Sequence, residues 1–275
     1  MINKNCYMKK LVLISTCIIL FMACKETKKT EENEENTEAA IRNQEQQEAD
    51  IDNEDVKITP IEHATAVIEF KDSVIYMDPT GGKAAFENQP KPNLVFITDI
   101  HGDHMSIETL DSLDLLGVKL VVPQAVAEKL PASYTDQLVI INNGETKSIN
   151  NIQVEAIPMY NLREEALKFH EKGRGNGYVL TLGDQRVYFS GDTEDIPEMR
   201  NLKNIDRAYV CMNLPYTMPV TAAADAVLAF KPKVVYPYHY RGTEGLSDVN
   251  KFKEIVNSSN PDIEVVQLDW YPTIP

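Results

Sequence analysis

The sequence predicts an α/β fold in which two β-sheets pack together and carry helices on their outer faces. Short apolar or alternating runs of strand length recur in both halves of the chain, and each half also holds runs with helical apolar spacing. No short-period repeat and no internal break demands a second folded domain.

In chain order, Met8-Lys9-Lys10 precedes an apolar run over 11–23 that is too short to span a membrane comfortably, and Cys24 follows the small residue Ala23. This is the layout of a secretory signal over 1–24. Residues 25–55 hold twelve acidic and four basic side chains and no aromatic. Such a segment cannot bury enough apolar surface to offset its conformational entropy, which predicts an extended acidic linker. The folded domain is expected over 56–275. Within it, 56–59, 65–70 and 74–77 read as strands with a hairpin turn at Lys71-Asp72, and Asp78-Pro79-Thr80-Gly81-Gly82 breaks the pattern. A buried strand at 94–98, a helix at 107–116, a strand at 119–122 and a helix at 124–130 follow. Strands over 138–142, 147–149 and 152–157 complete the first half. In the second half 178–182 and 186–190 flank a hairpin signal at Gly183-Asp184-Gln185. Strands at 208–212, 234–236 and 263–268 alternate with helices at 221–230 and 249–256, the former stopped by Pro232.

The net charge of −15 divides into +3 for 1–24, −8 for 25–55 and −10 for 56–275. A domain this acidic is a poor partner for nucleic acid backbones. Of four cysteines, Cys6 and Cys17 lie in the signal and Cys24 at its end, so Cys211 is left alone in the domain and no intramolecular disulfide can form there. Cys211 reads as a buried strand residue.

Potential chemistry concentrates at strand ends. Thr98-Asp99-Ile100-His101-Gly102-Asp103-His104 sets two of the chain's five histidines and two carboxylates on a turn directly after an apolar run. Imidazole nitrogen and carboxylate oxygen are the donors that divalent metals such as zinc take, and catalytic sites leave one position open for water. Gly102 is expected to bend the chain so that His101 faces one metal while Asp103 and His104 face another. Gly191 would present Asp192 in a tight turn, and His239 follows the strand at 234–236. Side chains at several strand ends converge at one sheet edge, where loops shape a pocket. Asp78 before Pro79 reads as a turn former or as a carboxylate behind the ligands. Gly173-Arg174-Gly175-Asn176-Gly177 lacks the Lys-Ser/Thr and following helix of a nucleotide loop, and reads as a mobile loop beside the pocket with Arg174 as an anion contact. Tyr216 and Tyr240 are candidates for the pocket mouth or for packing.

These residues resemble a known family. The run 98–104 is similar to the His-x-His-x-Asp-His element of the metallo-β-lactamase superfamily, with Asp192 and His239 in the order of its later ligands. The similarity extends over most of 58–245 through His63-Ala64-Thr65, Asp78-Pro79, Gly191-Asp192-Thr193 with Ile196-Pro197-Glu198-Met199, Asn213-Leu214-Pro215-Tyr216-Thr217-Met218 and Pro237-Tyr238-His239-Tyr240. The branch resembled contains the ascorbate-6-phosphate lactonases and the N-acyl-phosphatidylethanolamine phospholipase D enzymes. The resemblance implies a four-layer αββα sandwich and a metal-dependent hydrolase. Asp103, His104 and His239 would bind one metal, with Asp103 and His104 essential to catalysis and Asp192 bridging to a second metal held by His101 and Asp99. Asp99 stands where the motif has His. The usual third ligand, a His after the strand at 152–157, is missing from Pro158-Met159-Tyr160-Asn161, so His170 or Asn161 would complete that site or bind substrate. His63, Asn161, His170 and Tyr216 are thus candidates for substrate binding or ligand support. The implied cofactor is one or two Zn2+, with Mn2+ or Fe2+ as alternatives.

Phe21-Met22-Ala23-Cys24 resembles a bacterial lipobox, which implies cleavage before Cys24, acylation of it, and a cell-envelope location facing periplasm or cell surface. The expected partners are a small-molecule or lipid substrate and the membrane, with no nucleic acid. The reaction expected is cleavage of an ester, lactone or phosphodiester bond. The alternative is a non-catalytic envelope metal-binding or interaction protein with a degenerate His101 site. A redox di-iron protein of this fold would need a flavin domain for which the chain has no room.

Overall fold

The computed structural model describes residues 56–272. The expected signal peptide over 1–24, the linker over 25–55 and Cys24 lie outside the described residues. Among the described residues no helix is long and apolar enough to cross a membrane.

Two sheets form the centre. The first has six strands in sequential order: β1 (Lys57–Glu62), β2 (Thr65–Phe70), β3 (Ser73–Met77), β4 (Leu94–Phe96), β5 (Lys119–Val122) and β6 (Leu138–Ile140). β1, β2 and β3 form an antiparallel meander, and β3 to β6 run parallel. The second contains β7 (Thr146–Ile149), β8 (Ile152–Met159), β9 (Gly175–Leu182), β10 (Gln185–Phe189), β11 (Arg207–Cys211), β12 (Val234–Tyr238) and, after the small hairpin β13 (Arg241–Gly242) and β14 (Gly245–Leu246), β15 (Glu264–Val265). Its spatial order is β15-β12-β11-β10-β9-β8-β7.

Alternation along the first sheet sorts its side chains between two cores. Val67, Tyr76, Val95, Leu120 and Val122 point outward onto Leu110 of helix α1 (Ile107–Ser112) and Val126 of helix α2 (Gln124–Ala127). Their neighbours Ile68, Ile75, Leu94, Phe96 and Val121 join Val154, Leu180 and Phe189 of the second sheet. Short helix α3 (Pro197–Arg200) and helices α4 (Val220–Phe230) and α5 (Val249–Ser259) add Met199, Ala223, Val227 and Phe252 to that larger core. Helices, two sheets and helices again give the four layers expected.

Several boundaries differ from expectation for local reasons. Helix α1 stops at Ser112 because Leu113 is already extended (ψ 150), and Leu116, counted in the helical apolar pattern, is 88% exposed. Helix α2 ends before Leu130, whose helical conformation is disfavoured by the following Pro131. β15 is only two residues long, since the chain then leaves the sheet and buries Trp270 and Tyr271. The glycine-rich run is not a free loop: β9 starts at Gly175, where a Cβ would lie 2.8 Å from the Thr98 carbonyl oxygen. Only glycine allows this close approach to the ligand-bearing turn.

Candidate metal centre

Parallel strands of both sheets end at one edge. Asp78 follows β3, Thr98 and Asp99 follow β4, Asp192 follows β10 and His239 follows β12. The carboxyl ends of parallel strands are the common place for ligand sites in α/β proteins. All five histidines of the chain meet here. The turn over 101–104 is closed by the His101 carbonyl, which accepts from the N–H groups of His104 (3.0 Å) and Met105 (2.8 Å). Gly102 does not adopt positive φ, so the bend rests on those bonds rather than on glycine's freedom. Gly191 does: with φ +60 it turns the chain into Asp192, and a Cβ there would lie 2.6 Å from Met159 Sδ.

Hydrogen-bond partners fix which ring nitrogens face inward. Asp78 is buried, and its carboxylate accepts from the Thr98 N–H (2.7 Å), the Thr98 hydroxyl (2.6 Å) and His104 Nδ1 (2.8 Å). His104 therefore aims its Nε2 lone pair into the centre, and Asp78 is the carboxylate behind a ligand rather than merely a turn residue. His170 Nδ1 donates to the Tyr216 carbonyl at 3.1 Å, which turns His170 Nε2 to within 3.2 Å of Asp192 Oδ2. His239 Nε2 lies 3.3 Å from Asp192 Oδ1 and 3.4 Å from Asp103 Oδ2.

His63 is arranged differently. The Tyr271 hydroxyl oxygen accepts from the backbone N–H groups of Tyr240 (3.1 Å) and Arg241 (3.2 Å), so its own proton goes to His63 Nδ1 at 2.7 Å. The neutral ring then carries its proton on Nε2, 3.4 Å from Asp103 Oδ2. His63 is a donor to Asp103 and not a metal ligand in this state. Asn161 leaves its Oδ1 buried without a hydrogen bond. Its amide donates to the carbonyls of Ala166 (2.8 Å) and Tyr216 (2.6 Å), bracing the segment that carries His170.

Two half-sites share Asp192. His104 and His239 with Asp192, and His63 and His239 with Asp103, are the close-set donor groups of one, and Asp99, His101 and His170 those of the other, with His101 Nδ1 2.8 Å from Asp99 Oδ2. The donor set fits divalent cations. His104 Nε2 and His239 Nε2 face each other at 3.1 Å, a repulsive meeting of acceptors unless positive charge lies between them, and Asp192 Oδ1 is buried with no hydrogen bond. Burial opposes charge on Asp192 and Asp103. For Asp192 the surrounding His239 and His104, and for Asp103 the adjacent His104, His239 and His63, nevertheless hold the carboxyls well below the usual range. Burial likewise opposes charge on His104, yet attraction from Asp192, Asp78 and Asp103 holds its pKa well above the ordinary value. The cluster captures protons, and equally would capture a metal ion.

A cavity of about 290 Å³ opens onto the half-sites, lined by His101, Asp103, Phe169, His170, Asp192, Asn213 and Tyr216. Tyr216 stands at this wall, edge-on to Phe169 at 5.1 Å. Tyr240, the other aromatic considered for the mouth, is buried edge-on to Tyr271 instead. Arg174 pairs with the protein's own Asp99 (Nε–Oδ1 3.0 Å, Nη2–Oδ2 2.8 Å) rather than awaiting an external anion. Cys211 is buried, and burial pushes its thiol up to about 12, consistent with a packing role. Phe169 and Tyr271 carried no sequence signal as site residues, and Thr98 and Asn213 stood in the runs singled out without a role of their own. Their roles come from contacts between segments far apart in the chain.

The fold and this constellation are those of the β-lactamase superfamily domain. The chain belongs to the β-lactamase superfamily domain family, whose model matches residues 57–239. More particularly, it is similar to a UPF0173 metal-dependent hydrolase of Pyrococcus horikoshii, 28% identical over 212 residues that cover 73% of this chain and 92% of that one. The crystal structure of a Parabacteroides distasonis protein named as a metal-dependent hydrolase shares 32% identity with a TM-score of 0.70, covering 78% of this chain and 94% of that one. A metallo hydrolase from Ignicoccus hospitalis shares the fold at 23% identity and a TM-score of 0.65, with the same coverage of both chains.

Proposed function

We propose that the chain hydrolyses a small ester or lactone of modest charge at this centre, held at the bacterial envelope by a lipid on Cys24. The carrying observation is the lining of the cavity beside the half-sites: carboxylates, imidazoles, one amide and two aromatic rings, with no Lys or Arg among the described residues that line it. Protein sites for phosphate groups usually present forked guanidinium or ammonium donors. A carbonyl substrate with an apolar flank suits the wall of Phe169 and Tyr216 better, and 290 Å³ sits at the small end of ligand pockets.

When bound, a divalent metal supplies Lewis acidity and brings the pKa of a water towards neutrality. Asp103, His104, Asp192 and His239 would hold it, and Zn2+ suits this mixed nitrogen and oxygen set, with Mn2+ or Fe2+ as alternatives. Asp103, 43% exposed and facing the cavity, orients the attacking water. His63 donates from Nε2 to Asp103 and holds that carboxylate in place, and the proton released by the attacking water leaves on the departing alkoxide. Asn213 is held by the Thr217 hydroxyl on its Oδ1 at 2.5 Å, which leaves its amide N–H groups to meet the carbonyl oxygen.

The test is a panel of lactones, carboxylic esters and phosphodiesters offered to the metal-loaded full chain. Turnover of an ester or lactone is expected, and Asp103→Asn should lower it by about 100-fold or more. Preferential turnover of phosphodiesters would overturn the substrate assignment. Bound metal with no hydrolysis of any class would point to a binding protein instead.

A further inference from the structure

The two half-sites carry unequal charge, and two residues make the difference: Asp78 behind the first and Arg174 behind the second. Around the first, Asp103 and the shared Asp192 bring two negative charges, and His104 is backed by the buried carboxylate of Asp78. Around the second, among the described residues, Asp99 is the only carboxylate besides Asp192. Its two oxygens are gripped by the fork of Arg174, which also donates to the Phe169 carbonyl at 2.5 Å. Asp99 is fully buried and Arg174 only 17% exposed, so water screens the pair little. Asp99 and Arg174 together sum to zero charge, the same as the neutral imidazole that the family motif places at position 99.

The glycine-rich segment makes this pairing possible. Gly175 lets the chain pass against Thr98, and the Asn176 N–H donates to the Thr98 carbonyl at 3.0 Å, which seats Arg174 directly behind Asp99. The guanidinium takes up lone pairs on both Asp99 oxygens and leaves a fixed positive charge next to the second half-site.

We infer that Arg174 makes the centre asymmetric: the Asp103/His104/Asp192/His239 half-site takes one divalent ion tightly, and the Asp99/His101/His170 half-site takes a second one much more weakly. The inference rests on the metal-centre reading but not on which bond is hydrolysed, so an unsuccessful substrate panel leaves it standing. It also separates two roles for Asp99. The carboxylate replaces a missing imidazole as a donor, while Arg174 cancels the charge that the replacement brings.

Chelator-treated full-length protein is titrated with Zn2+ against a chromophoric competitor, and bound zinc is counted by elemental analysis after gel filtration. One tight ion per chain is expected, with the second at least about ten-fold weaker, the scale on which outer partners of metal ligands act. Arg174→Met should strengthen the second ion about ten-fold while leaving the first unchanged. Arg174→Lys, which keeps the charge, should retain the asymmetry of the parent and guards against a folding failure of the first variant. Asp99→Asn should abolish the second ion alone. Two ions of equal affinity in the parent chain, or an Arg174→Met variant whose second ion is unchanged or weaker, would overturn the inference. Binding of no ion at all would instead remove the metal centre itself.

Discussion

At His104 two carboxylates compete for one imidazole, Asp78 at Nδ1 (2.8 Å) and Asp192 at Nε2 (3.5 Å). Burial opposes the charged ring, but attraction to Asp192, Asp78 and Asp103 outweighs it and raises the folded pKa above the ordinary histidine value. In the metal-free protein this group therefore stabilises the fold fully below about pH 6.5, and that contribution is lost as pH rises through the raised value. Asp192 and Asp103 shift the other way, so their contribution is lost only as pH falls well below the carboxylate range. A bound cation takes the place of the His104 proton and removes the alkaline dependence. Melting of chelator-treated protein should therefore fall as pH rises past neutrality, whereas the zinc-loaded protein should hold its melting temperature. Parallel pH dependence of the two forms by calorimetry would rule this out. Asp192 and His239 were legible in the sequence because each follows closely on an apolar run, where strand direction fixes its edge of the sheet, and Asp103 and His104 because the turn that carries them comes after such a run. Tyr271 was not legible: its importance comes from a hydroxyl whose acceptor and two donors lie at positions 63, 240 and 241.

Between residues and fold, the segment over 161–170 decides whether His170 reaches the centre. Glu194, 5% exposed and just past Asp192, accepts from the backbone N–H groups of Leu162 and Arg163 (both 2.9 Å) and from Arg163 Nε (2.7 Å). Arg163 Nη2 also donates to the carbonyls of Pro215 (3.0 Å) and Thr217 (2.6 Å). One ion pair thus ties together the segments that bear His170, Asp192 and Asn213. Arg163→Ala leaves the buried Glu194 carboxylate with only its backbone donors. Because the guanidinium is 30% exposed, the expected cost is held to about 1–3 kcal/mol rather than that of a fully buried pair. That corresponds to a fall of several degrees in melting temperature, with roughly 2–4 °C per kcal/mol for a domain of this size. An unchanged melting temperature would show the brace to be idle. The sequence could not place His170 because the connection from β8 to β9 has no apolar period. Its course is set by polar bonds to segments 32 to 55 residues away along the chain. The strands themselves were legible, since apolar alternation is a local property and survives without knowledge of the partner strand.

For the whole molecule, charge decides how the chain could sit at a membrane. The described domain exposes no membrane-spanning helix, and residues 56–275 carry a net −10. Anionic lipid headgroups repel such a body, so its own surface supplies no electrostatic attachment. The acidic run over 25–55, at −8, adds to the repulsion instead of bridging it. Attachment at the envelope, as we propose, then depends on the apolar run before residue 24 or on acyl chains at Cys24. The two are separable, because stable anchoring by lipid needs acyl chains on that one thiol, whereas an uncleaved apolar segment does not. Cys24→Ser should move the protein from the membrane fraction to the soluble fraction and abolish labelling by an alkyne fatty acid. Zinc content and hydrolysis should stay at parental levels, since the donor groups of the metal centre among the described residues run from His63 to His239. A Cys24→Ser protein that stays with the membrane would assign the attachment to the uncleaved apolar run, and a parent chain that takes no label would exclude the lipid.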